Sequence, residues 1–133
     1  MLSPKSTYIL NKAHPDLQKV FQQVAEKTSI EIVCSLRGEQ EQEQAFREGH
    51  SKAHFGQSPH NHTPALAVDV VPLPERYSNE QKLIDLSIPI CQAANELEIP
   101  ITWGGEFSGD YGFKHNGDLP HYQLKNWLKL RRE

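Results

Sequence analysis

The sequence predicts an α+β domain: a small antiparallel sheet with flanking helices in one compact unit. Three observations predict it. The chain has 133 residues, one domain's worth. Amphipathic helical stretches are mixed with short β-branched runs, without the strict alternation of a βαβ repeat. Long connections rich in Gly, Pro, Asp and His separate them.

The elements follow in order. "HPDLQKVFQQVAEKTS" predicts a helix, because Pro15 suits its first position and Leu17, Val20, Phe21 and Val24 share one face. "IEIVCS" predicts a strand from its β-branched residues. "GEQEQEQAFREG" predicts a second helix, with Gly49 as its C-terminal stop. Residues 50–65 predict a loop. "LAVDVV" predicts a strand closed by Pro72 and Pro74. "SNEQKLIDLSIPICQAANELE" predicts a long helix with Leu83, Leu86, Ile90, Ala94 and Leu97 on one face, kinked or broken at Pro89. "IPITW" predicts a third strand and "LPHYQL" a fourth, joined by the loop "GGEFSGDYGFKHNGD". "KNWLKLRRE" predicts a short basic terminal helix.

Composition excludes some classes. The formal net charge is -3 and the chain lacks the basic stripe of a nucleic-acid binder. No apolar run reaches the roughly 18 residues of a membrane span, so stable insertion is not expected. Without an apolar signal stretch in "MLSPKSTYIL", synthesis in the cytoplasm is expected. Cys34 and Cys91 lie in separate apolar blocks and read as reduced core residues. The histidine count, 7, is high and raises the question of a metal.

Asp69 sits at the centre of the apolar strand "LAVDVV", with His60 and His62 just upstream. A buried carboxylate needs a partner or a metal. His60, Asp69 and His121 make a normal three-ligand set for catalytic zinc, which leaves one position for water. Asp118, three residues before His121, could serve as general base. Arg37 follows the first strand and could hold a substrate carbonyl.

These segments carry a resemblance. "SLRGEQEQEQAFREGHSK", "SPHNHTPALAVDVVP", "ITWGGEF" and "DLPHYQL" resemble, in order, segments of the zinc D-alanyl-D-alanine/L-alanyl-D-glutamate peptidases of hedgehog-like fold, in particular single-domain phage endolysins. The resemblance covers about residues 15–124 and implies one zinc peptidase domain over 1–133. It implies zinc on His60, Asp69 and His121, Asp118 as base, Arg37 as carbonyl clamp, and peptidoglycan stem peptides as substrate. Ser58, Gln42 and Trp103 are expected near the substrate, although Trp103 suits the core equally.

The first ligand is left between two histidines. The tightest family spacing selects His62, whereas "SPHNHTP" selects His60, the expected ligand. Two apart in an extended segment, both would point the same way. Glu106 and Phe107 stand where phage relatives often have Asp and Trp. Asp110 and Asn116 do not fit an EF-hand loop. His14, His50, His54 and His115 read as surface histidines, and Trp127 as a packing anchor.

The leading expectation is a monomeric wall-lysing peptidase that reaches the periplasm through a holin. A D-alanyl-D-alanine carboxypeptidase is the alternative. It would need a cation for the free carboxylate, with Arg47, Lys52 and Lys114 as candidates. A metal-bound wall-binding module without catalysis is the third reading.

Overall fold

The computed structural model describes residues 1–106 and 118–131. Phe107, Asp110, Lys114, His115 and Asn116 lie outside the described residues. The elements are α1 (Pro4–Leu10), α2 (Pro15–Ala25), β1 (Ile30–Cys34), α3 (Glu39–Arg47), β2 (Ala67–Pro72), α4 (Glu80–Glu96), β3 (Ile101–Trp103), β4 (His121–Leu124) and α5 (Trp127–Leu130). Short 3-10 turns occupy Pro59–Asn61 and Gly104–Glu106.

The sheet has four strands in the order β1-β2-β4-β3, and every neighbouring pair is antiparallel. Alternation along the strands gives it two faces. Ile30, Ile32, Val68, Val70, Tyr122 and Leu124 join the main core with Leu17, Val20, Phe21 and Val24 of α2 and Leu86 and Ile90 of α4. Phe21 meets Tyr122 edge to face, with ring centroids 5.9 Å apart. A fully buried side chain of this size contributes roughly 1.5–3 kcal/mol relative to exposure. Residues one position out of phase, Asp69 on β2 and His121 on β4, are carried by the opposite face.

The register of β1 decides what reaches that face. Ile32 pairs with Val70, but Cys34 pairs with Asp69, so one extra residue is accommodated at Val33. A bulge of this kind re-aims the side chains beyond it. Without it, Cys34 would share the core face with Ile30 and Ile32. Cys34, expected in the core, instead stands half-buried beside Asp69.

Three further expectations are corrected. No element was predicted over Pro4–Leu10, where α1 forms. Its Ser6 hydroxyl accepts the Ile32 N–H at 3.0 Å, and the Ser35 hydroxyl donates to the Ile9 carbonyl at 2.6 Å. The helix thus covers the free edge of β1, which would otherwise present unpaired backbone groups. Next, α4 runs through Pro89 unbroken. The carbonyl that proline leaves unpaired belongs to Asp85, on the exposed face where water can serve it. Finally, the loop over 50–65 holds the 3-10 turn at Pro59–Asn61. Gly49 ends α3 with φ of 77°, a conformation that glycine adopts freely.

Candidate metal centre and cleft

Asp69 and His121 are direct partners across β2 and β4, so their side chains rise side by side. His60 arrives from the 3-10 turn, where the Ser58 hydroxyl accepts its N–H at 3.2 Å. His60 Nε2, Asp69 Oδ1 and His121 Nδ1 form a triangle with every edge 3.2 Å. Tetrahedral bonds of roughly 2.0–2.1 Å to a zinc ion separate ligand atoms by about 3.3 Å.

Proton placement strengthens the fit. His60 Nδ1 lies 2.6 Å from the Ser35 carbonyl, which can only accept, so the proton sits on Nδ1. His121 Nε2 lies 2.8 Å from Gln123 Oε1, which fixes its proton in the same way. The lone pairs of His60 Nε2 and His121 Nδ1 therefore converge with a carboxylate oxygen on one point. Three acceptors facing one another repel unless a cation sits between them. Outward partners of this kind orient metal-binding histidines.

The electrostatics state the same need. Burial works against a charge on His60, yet the Asp69 carboxylate outweighs it and pushes the ring up to about 10. Burial also works against the Asp69 charge, and the His60 and His121 imidazoles hold it well below the usual carboxylate range. Without an ion, the site must take up a proton. The residues present fit a divalent metal with nitrogen and oxygen ligands.

Asp118 stands beside this triangle. Its carboxylate lies within 4.8 Å of the ligand atoms of Asp69 and His121. Burial and then the Asp69 charge push Asp118 up to about 6, so it exchanges a proton readily near neutrality. The Trp-Gly-Gly segment holds it there. Asp118 N–H donates to the Gly104 carbonyl at 2.8 Å, and Trp103 Nε1 donates to the Leu119 carbonyl at 2.8 Å. A Cβ on Gly104 would strike the Asp118 carbonyl and come within 3.0 Å of His121 Cβ.

Arg37 faces the same point. Its Nη2 is 3.6 Å from Asp69 Oδ2, and its Nη1 donates to Gln42 Oε1 at 3.0 Å. Ser58 lines the cleft while capping the 3-10 turn. Gln42 and Trp103 lie elsewhere. Gln42 is fully buried, its amide nitrogen donating to Ser51 Oγ and the Ala53 carbonyl, so it supports Arg37 from behind instead of facing a substrate. Trp103 packs against both apolar clusters, in keeping with the core reading. His62 turns away, its ring 5.8 Å from that of Trp127, because the 3-10 turn removes the extended geometry in which both histidines would point together.

Sequence reasoning missed Cys34, Gln123 and Tyr77. Cys34 Sγ lies 3.9 Å from His60 Nδ1, and together with His60 and Asp69 it forms a group able to hold a metal. Gln123 was legible as the residue two beyond His121, on the same strand face. The cleft, about 660 Å³, is lined by Arg37, Lys52, His60, Asp69, Tyr77 and Asp118 among others. No sequence signal placed Tyr77, which lies in the turn after β2.

The family model of phage L-alanyl-D-glutamate peptidases matches residues 1–124. The chain belongs to this family. No curated protein sequence matches it. Its fold is similar to the crystal structure of the Serratia marcescens L-Ala D-Glu endopeptidase ChiX, at 26% identity and a TM-score of 0.75, over 94% of this chain and 90% of that one. As an L-alanyl-D-glutamate peptidase the protein is a hydrolase acting on peptidoglycan. His60, Asp69 and His121 of the candidate metal cluster line its cleft.

Proposed function

We propose that the protein is a zinc-dependent endopeptidase, a phage endolysin that opens the L-Ala–D-Glu bond of the stem peptide with His60, Asp69 and His121 as ligands. The observation that carries this reading is the triangle of converging acceptor atoms with Asp118 at its side. Two imidazoles and one carboxylate favour zinc over calcium or magnesium, which prefer all-oxygen shells. A bound zinc supplies Lewis acidity to the attacking water and the scissile carbonyl.

The remaining steps belong to side chains. Asp118 accepts a proton from the attacking water and returns it to the leaving amine nitrogen. Arg37 faces the carbonyl oxygen as it gains negative charge, and Gln42 keeps the guanidinium aimed there. Ser58 sets the turn that presents His60. Delivery from the host cytoplasm to the periplasm through a holin, and work as a monomer, belong to the same proposal.

Two measurements on one sample test it. Elemental analysis should find about one zinc per chain. Mass spectrometry of digested wall should find L-Ala left on the sugar side and D-Glu at a new N-terminus. Metal-free protein with full activity would remove the ligand assignment. Release of D-Ala with intact L-Ala–D-Glu bonds would point to a carboxypeptidase, and zinc without any cleavage to a binding module.

A further inference from the structure

A glutamate on the leaving side of the scissile bond brings a charge with it. It has two carboxyl groups and only one can continue the stem. The other stays ionised, a few bonds from the scissile nitrogen. Productive binding therefore takes an anion out of water a few bonds from the scissile nitrogen, which is costly unless a cation meets it.

Besides the ligand candidates His60 and His121, three cationic or basic side chains among the described residues line the cleft: Arg37, His50 and Lys52. Arg37 is assigned to the scissile carbonyl and is held by Gln42. His50 stands at the rim with 73% of its side chain exposed, 3.7 Å from Glu48. Lys52 stands between two anchors. The Ser51 hydroxyl accepts from Gln42 Nε2 at 3.0 Å, and the Ala53 carbonyl accepts from the same nitrogen at 2.7 Å. Ala53 N–H closes the turn on Ser51 Oγ at 3.1 Å. Gln42 also receives Arg37 Nη1. One buried amide thus holds the carbonyl-facing guanidinium and both neighbours of Lys52, through the Ser51 hydroxyl and the Ala53 carbonyl.

Resting on the endopeptidase reading above, we propose that Lys52 reads the free carboxylate of the substrate glutamate and selects that residue on the leaving side. The Gln42 hub sets the spacing between Arg37 at the scissile carbonyl and Lys52 at the carboxylate. Of the other cations considered from sequence, Arg47 is not among the residues lining the cleft and Lys114 lies outside the described residues.

The test uses two synthetic stem peptides that differ only at this group, one with the free carboxylate and one with its carboxamide. Metal-loaded wild-type protein should cleave the acid with kcat/KM about tenfold or more above the amide, the scale of a hydrogen-bonded charge pair. In Lys52→Gln that ratio should collapse toward one, mainly through KM, with zinc content unchanged. Lys52→Arg should restore much of it. A Lys52→Gln protein that keeps the wild-type ratio overturns the assignment, as does a wild type that does not discriminate. Failure of the loaded wild type to cut either peptide would instead overturn the endopeptidase reading, and this inference with it.

Discussion

The closest test of the centre separates two histidines that are neighbours in sequence. His60→Ala should lose the bound metal, because it removes one corner of the 3.2 Å triangle, whereas His62→Ala should keep most of it. Metal content after dialysis, measured by elemental analysis, decides the matter, and the reverse pattern would reassign the ligand. Asp118→Asn should keep the metal but lower turnover by about 10²-fold or more, the usual scale for a lost general base. Near-normal turnover in that variant would place the base elsewhere. The candidate cluster was legible because a carboxylate inside an apolar strand has few explanations. The direction of His62 was not, since it depends on a 3-10 turn that the loop composition only announces as irregular.

At the level of elements, the parts that look least catalytic hold the chemistry in place. Gly104→Ala should displace the Asp118 backbone, because the added methyl meets the Asp118 carbonyl and the His121 side chain. A shift of about 1 Å can cost on the order of 10²-fold in rate. We expect turnover to fall much more than metal content, and a variant with unaltered kinetics would show that the Trp-Gly-Gly segment is not needed for aim. Ser6→Ala should destabilise by about 1–3 kcal/mol, because the Ile32 N–H loses its partner at a buried position. Denaturant titration measures this. Helix α2 was legible from its apolar period, as was the face of α4. Helix α1 was not, because its buried Ser6 is polar and serves a strand edge, a role that hydrophobic periodicity does not register.

Across the whole molecule the sheet divides two tasks, with stability beneath it and chemistry above. Phe21→Ala should cost about 3–5 kcal/mol through the cavity it leaves against Tyr122. The specific activity of the molecules that remain folded should stay near wild type. A Phe21 variant with ordinary stability but lost activity would contradict the division.

The pairing of His60 with His121 joins positions 61 apart in the chain. An ion held by both, and by Asp69 between them, is a cross-link through side chains where two unpaired cysteines supply none. On the chain-entropy description used for disulfides, closing a loop of that length restricts the unfolded ensemble by about 4 kcal/mol. A chelator undoes this link and a metal salt remakes it. The midpoint of thermal unfolding should therefore fall by several degrees on chelation and recover on adding zinc, and a midpoint indifferent to chelation would mean that no ion ties the strands together.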